Sequence, residues 1–240
     1  MPASSADSRD RLFVALDLPS VEKARQMVAA LDDTVQCYKI GLELLFGGGL
    51  EFAQGLKAAG KTIFLDMKLL DIPNTVEKAA ANIARIGIDY LTVHGVDRKT
   101  LDAAVMGRGS SRLKLLAVTV LTSLDAADLR EQGIAGTDPS ELVLARARLA
   151  RDAGFDGVIA SGQEAAAVRH AAGEPFLIVT PGIRLADAEV GRGDQARVVT
   201  PGAAIAAGAT HLVVGRPITA AADPRAAAKR ILDDIANAKA

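Results

Sequence analysis

The chain has 240 residues, half of them hydrophobic, and a net charge of −1. That is enough apolar material for one large core, and the near-neutral balance gives no global attraction to nucleic acid or an anionic membrane. A single cysteine, Cys37, excludes an internal disulfide framework and a cysteine-rich metal site.

Residues 1–10 are small and polar, without the apolar stretch of a signal peptide, and read as a disordered or frayed tail. No apolar run approaches the ~20 residues that span a bilayer, so the expectation is a cytoplasmic protein without a membrane partner. From residue 11 onward, short apolar, β-rich runs recur at 12–17, 35–40, 62–66, 90–94, 115–121, 157–160, 176–180 and 211–215. Cys37 falls in the second of these and reads as a buried strand residue. Between the runs lie segments of helical character, at 20–31, 50–59, 75–86, 140–153 and 163–171, then 203–207 and 224–236. A short helix is expected to start near Arg216-Pro217. Pro19-Ser20 and Asp138-Pro139-Ser140 look like helix entries, and Gly60, Gly87, Gly154 and Gly173 like helix exits. Gly47-Gly-Gly49 follows a helical 41–46 but lacks the Lys-Ser/Thr of a nucleotide loop, and reads as a flexible turn.

Eight strands alternating with helices predict an α/β fold with a parallel sheet, and eight is the number that closes a (β/α)8 TIM barrel. The runs are almost wholly apolar rather than alternating, as expected when helices cover the sheet. A single catalytic domain over 11–240 is the preferred reading; a doubly wound open sheet is the alternative.

The polar residues sort by position in these units. Asp17, Lys39, Asp66, His94, Thr122 and Ser161 stand at or just past successive strand ends, and Arg184 and Arg216 just past the seventh and eighth. In a barrel those ends form one rim, where active sites are built. The most informative segment is Phe64-Leu-Asp-Met-Lys-Leu-Leu-Asp-Ile-Pro-Asn-Thr75, which alternates charge through Asp66, Lys68 and Asp71. Asp66 and Lys68, two apart on a strand, point the same way. With Lys39 from the neighbouring strand they predict one charge network. Opposite charges about 4 Å apart attract by about 4 kcal/mol at an effective dielectric near 20. Flanked by carboxylates, Lys68 would stay protonated and could serve as a general acid. A carboxylate beside a substrate anion would disfavour that ground state, provided binding energy from elsewhere on the substrate offsets the strain. A structural ion-pair network closing the barrel top is the competing reading.

That remote grip is expected at a phosphate site. Thr180-Pro-Gly-Ile-Arg184 and Val213-Val-Gly-Arg216 follow the last two strands, where barrels of this kind hold phosphate, and arginine's planar fork suits it. The polar segment 191–197 between them reads as a lid from which Gln195 could reach the ligand. His94 reads as packed or supporting, and His170 and His211 as structural. No metal set is offered by the histidine and carboxylate spacing.

The 64–75 segment resembles the signature of the orotidine 5′-phosphate decarboxylase family, in its bacterial branch. The likeness extends to Ala15-Leu-Asp17, Tyr38-Lys-Ile-Gly41, Val118-Thr-Val-Leu-Thr-Ser123, Thr180-Pro-Gly-Ile-Arg184, Gly193-Asp-Gln195 and Val213-Val-Gly-Arg216. The resemblance implies a (β/α)8 homodimer that converts orotidine 5′-phosphate to uridine 5′-phosphate with no metal or organic cofactor. It implies that Lys68 protonates C6 after CO2 leaves, that Asp66 sits near the departing carboxylate and that Lys39 steadies the network. It further implies that Asp71, Ile72 and Thr75 enter the partner subunit's site. Asp17 and Lys39 would touch the ribose, Thr122 (or its neighbour Ser123) the pyrimidine, and Gln195, Arg184, Gly215 and Arg216 the phosphate. Sugar-phosphate decarboxylases and aldolase-like synthases of the same superfamily share Asp-x-Lys-x-x-Asp but use a metal; the continuation Ile72-Pro-Asn-Thr75 favours the nucleotide enzyme.

Overall fold

A computed structural model describes residues 8–134, 138–185 and 199–238. Eight parallel strands close into a barrel: β1 (Leu12–Ala15), β2 (Cys37–Gly41), β3 (Thr62–Leu69), β4 (Tyr90–His94), β5 (Lys114–Val118), β6 (Gly157–Ile159), β7 (Leu177–Thr180) and β8 (His211–Val214). Each pairs with the next, and β8 returns to β1 through Leu12↔Leu212, Phe13↔Val213 and Val14↔Val214. Closure excludes the open doubly wound sheet.

The helices follow in turn: α1 (Val21–Leu31), the single turn α2 (Leu42–Leu44), α3 (Leu50–Ala58), α4 (Pro73–Arg85), α5 (Arg98–Arg108), α6 (Ala126–Glu131), α7 (Pro139–Asp152), α8 (Ala165–Ala172), α9 (Pro201–Ala206), α10 (Arg216–Thr219) and α11 (Pro224–Asn237). Local chemistry sets their starts. The side chains of Ser20, Asp97, Asp125, Asp138, Thr200 and Asp223 accept from main-chain N–H groups of the first turns, and Pro73, Pro139, Pro201 and Pro224 open four of the helices.

At Gly47-Gly-Gly49 the backbone of Gly47 and Gly48 is non-helical, with Gly48 at φ +93°, so the glycines kink the chain between α2 and α3 where a turn is expected. One local expectation changes. Residues 8–10, read as part of the tail, belong to a 3-10 turn over Ser8–Arg11. The guanidinium of Arg11, the last residue of that turn, holds it by donating to the carbonyls of Ala209 and Thr210 at 3.0 Å.

Strand periodicity divides the side chains into two cores. Outward residues such as Leu12, Val14, Ile40, Leu65 and Leu91 pack under the helices. Inward residues Phe13, Cys37, Phe64, Tyr90, Leu116 and Val179 fill the barrel. Phe13 meets Phe64 and Tyr90 edge-on, with ring centroids 5.3 and 5.1 Å apart, and stacks on His211 at 5.6 Å. These rings make a solid floor.

Below them, polar residues just ahead of alternate strands tie down the preceding strand. Asp89 accepts the Ile63 N–H at 2.8 Å and an ammonium hydrogen of Lys57 at 2.6 Å. Asp156 does the same for Leu115 N–H and Arg108, both at 2.8 Å. The Thr210 hydroxyl accepts from Ile178 N–H and donates to Ile178 O, both at 3.0 Å. Main-chain groups at the strand starts are thereby satisfied without a covering layer.

Candidate active site

Above the floor the inward positions turn polar, and the strand tops open on a cavity of about 550 Å3. Asp17, Lys39, Asp66, Lys68, Thr122, Arg184, Gly215 and Arg216 all line it. The inward spacing explains the set: Phe13 and Ala15 share a face of β1, with Asp17 two residues past its end, and along β2, Cys37, Lys39 and Gly41 share one. A side chain at Gly41 would crowd the charged network, because a Cβ there would lie 2.6 Å from Asp17 Oδ1 and 3.0 Å from Lys39 Nζ, so those side-chain ends would have to shift.

Four of these side chains form a linear network. Lys39 Nζ donates to Asp17 Oδ1 at 2.9 Å and stands 3.3 Å from Asp66 Oδ2. Lys68 Nζ lies 2.8 Å from Asp66 Oδ1, the oxygen that also accepts the Thr92 hydroxyl at 2.9 Å. Side-chain exposure rises from 8% at Lys39 and 14% at Asp66 to 33% at Lys68 and 49% at Asp17. The inner pair is thus largely buried at the cavity wall, while the Lys68 ammonium is more accessible.

Burial by itself would push the Asp66 carboxyl up, but the ammonium groups of Lys39 and Lys68, with hydrogen bonds from Lys68 and Thr92, hold it below the usual range. Burial would likewise lower Lys39; Asp66 and Asp17 outweigh it and keep that ammonium above its ordinary value. Such a set is stable as a set. Deleting one member of a buried pair leaves its partner uncompensated, typically at a cost of about 3–5 kcal/mol.

The backbone beneath Lys68 is irregular. Leu65 pairs with Leu91 but Leu69 with Val93, so two extra residues of β3 are taken up in between. Lys68 itself has φ +49°, in the left-handed region that costs a non-glycine residue roughly 1–2 kcal/mol. Simple alternation therefore predicts the meeting of Asp66 and Lys68 correctly, while the chain achieves it through a bulge.

Asp71 departs from expectation. It does not join the network within one chain; its Oδ1 accepts the N–H of Ile72 at 2.7 Å. β3 ends at Leu69, and the chain turns outward before α4 begins at Pro73. Asp71, Ile72 and Thr75 are absent from the cavity wall, and Leu70 and Ile72 are 54% and 67% exposed. Ser161 is buried, with its N–H and hydroxyl both directed to Glu164, so it serves a turn. Thr122 rather than Ser123 lines the cavity. His94 stands behind the wall; burial, Lys68 and Arg146 lower its pKa. Gln195 lies outside the described residues, while Ile183↔Val199 bridges the chain on either side of that segment.

Thr92 is the residue that sequence reasoning missed. The available signal was a hydroxyl in the middle of Tyr90-Leu-Thr-Val-His94, on the face β4 turns inward. Among the described residues, no group of three or more His, Cys, Asp or Glu side chains is placed to hold a metal.

A family model described as "Orotidine 5'-phosphate decarboxylase / HUMPS family" matches residues 10–231. An orotidine 5′-phosphate decarboxylase of Rhodopseudomonas palustris (strain BisA53) is 52% identical over 232 residues, 97% of each chain. One of Methylobacterium sp. (strain 4-46) is 55% identical over 233 residues, 96% of this chain and 97% of its own. The crystal structure of orotidine 5′-phosphate decarboxylase from Lactobacillus acidophilus superposes with a TM-score of 0.82 at 38% identity, covering 93% of this chain and 98% of that one.

Proposed function

The chain belongs to the orotidine 5′-phosphate decarboxylase / HUMPS family, and on that premise we propose that it decarboxylates orotidine 5′-phosphate to uridine 5′-phosphate in pyrimidine biosynthesis, as a cytoplasmic homodimer whose catalytic unit is residues 11–240. The observation that carries the chemistry is the ion-paired Lys39–Asp66–Lys68 chain on the cavity wall, with Lys68 its more accessible ammonium.

In this reading, Arg184, Arg216 and the main chain at Gly215 grip the 5′-phosphate, and Gln195 joins them. Asp17 and Lys39 hold the ribose and Thr122 the pyrimidine. The substrate carboxylate is set beside Asp66, which Lys39 and Lys68 keep ionised, so the bound ground state is electrostatically strained. Phosphate binding offsets that strain. The bond from C6 to the carboxylate breaks, CO2 departs, and the electron pair stays on C6. Lys68 Nζ delivers a proton to that carbon and is left as a neutral amine, to be reprotonated from solvent. No step requires a metal or an organic cofactor.

The exposed Asp71, Ile72 and Thr75 are assigned to the partner's cavity, where Asp71 completes the alternation of charge that one chain leaves unfinished. Asp71→Ala and Lys68→Ala should each be nearly inactive alone, yet a mixture of the two should regain activity, because one of the two sites in a mixed dimer is intact. A mixture that stays inactive would remove the shared site.

The reaction itself is tested by following the absorbance of orotidine 5′-phosphate with purified protein in excess chelator, where turnover is expected to persist. Activity abolished by chelation and restored by magnesium would favour enediolate chemistry of the sugar-phosphate type instead.

A further inference from the structure

Thr92 is absent from the cavity wall, yet it bonds to both Lys68 and Asp66 of the charged network. Its side chain is fully buried on β4. Its hydroxyl oxygen accepts the main-chain N–H of Lys68 at 2.9 Å, and its hydroxyl hydrogen goes to Asp66 Oδ1, also at 2.9 Å. Asp66 Oδ1 in turn faces Lys68 Nζ at 2.8 Å. One hydroxyl therefore joins the lysine's backbone to the carboxylate that its own side chain meets, and the three residues close a ring.

The bulge explains why a side chain is needed there. Two surplus residues in β3 interrupt its pairing with β4 between Leu65 and Leu69, so the Lys68 N–H has no regular place in the ladder. A buried main-chain donor must find an acceptor, and Thr92 supplies one. Because that bond occupies the oxygen as acceptor, the hydroxyl hydrogen is free to point only elsewhere, and Asp66 takes it. The left-handed backbone of Lys68 persists in this setting because the surrounding bonds over-determine it.

We propose that Thr92 is a positioning residue for Lys68 and Asp66: its hydroxyl clamps the bulge and orients the carboxylate, and so sets where the proton-donating ammonium sits. The proposal rests on the decarboxylase reading for its kinetic consequence, but not for its structural one.

The test compares Thr92→Val, which keeps the shape and loses both hydrogen bonds, with Thr92→Ser, which keeps them and loses a methyl group. For Thr92→Val, kcat is expected to fall roughly tenfold to a hundredfold, the scale of a misplaced catalytic group, while KM and the affinity for uridine 5′-phosphate hardly move. Thr92→Ser is expected to recover most of the lost kcat. A crystal structure of Thr92→Val should show Lys68 out of the left-handed region or its ammonium withdrawn from Asp66. Wild-type kcat in Thr92→Val, equal losses in valine and serine variants, or an unmoved Lys68 in the valine crystal would each overturn the proposal. Absence of wild-type turnover would instead refute the decarboxylase reading, and the crystal comparison would still decide the role of Thr92.

Discussion

The two ends of the barrel use similar side chains in opposite ways. At the floor, Asp89 and Asp156 turn one oxygen to a strand's N–H and meet a surface cation, Lys57 or Arg108. At the mouth, the Asp66 carboxylate lies between two lysines and a hydroxyl and, among the described residues, bonds to no main-chain group, beside an open cavity. Aromatic packing separates the ends: Phe13, Phe64, Tyr90 and His211 fill the barrel beneath the charged layer. The carboxylates of Asp89 and Asp156 bind backbone, whereas that of Asp66 is held by other side chains and leaves a neighbouring charge accessible.

Substitutions can break or sharpen this contrast. The largest effect is expected from Lys68→Ala, which should slow turnover at least ~10²-fold, the usual scale for a lost general acid. Calorimetry should still detect uridine 5′-phosphate binding; undiminished turnover would remove the ammonium from the mechanism. Arg216→Ala, also at the mouth, should lower kcat/KM by roughly tenfold to a hundredfold, matching a charge-assisted hydrogen bond of about 1.5–3 kcal/mol. An unchanged kinetic profile would make that arginine a bystander.

At the floor the sign of the experiment reverses. Asp89→Ala orphans the Ile63 N–H and should cost about 1–3 kcal/mol in a denaturant titration, yet leave turnover of the folded protein intact. A collapse of turnover without loss of stability would erase the distinction between the two ends. The smallest effect concerns His211, whose burial, aided by Lys114 and Arg11, pushes its pKa from 6.5 down to about 4. The unfolded chain then holds the proton more tightly than the folded one. Stability from this residue is present above pH 6.5 and drains away as pH falls toward 4, by about 1 kcal/mol over the first unit. His211→Leu should flatten that stretch of the stability profile, and a slope that persists unchanged would assign it to other groups.

Most of this architecture could be read from the chain because its strands are continuous apolar runs and their polar ends fall in order. Period-two reasoning also anticipated that Lys39, Asp66 and Lys68 would converge. It failed where geometry is not periodic. The bulge at Lys68 leaves no mark in composition, so the need for Thr92 stayed hidden. Asp71 looks like a third member of the alternation, yet it follows the end of β3, where strand periodicity no longer applies. Helix α5 was missed for another reason. Its segment is polar on average and carries Gly107, a residue that reads as a breaker. Gly107 is there to let α5 lie against α4, since a Cβ would fall 2.1 Å from the Glu77 carbonyl oxygen. Floor contacts such as Asp156 with Leu115 join residues 41 apart, a separation no local pattern reveals.

Joining β1 to β8 has a consequence for how the protein is made. The pairing Leu12↔Leu212 and the Arg11 bond to Thr210 link residues about 200 positions apart, among the most distant contacts the chain contains. A ribosome working from the first codon onward exposes β1 long before its second neighbour exists. Strand by strand the sheet can assemble, but its seam stays open until the eighth strand has left the exit tunnel, with one unpaired edge waiting at each side. Until β8 docks, those two edges remain able to pair with other chains, and a chaperone that shields sheet edges would act in that interval.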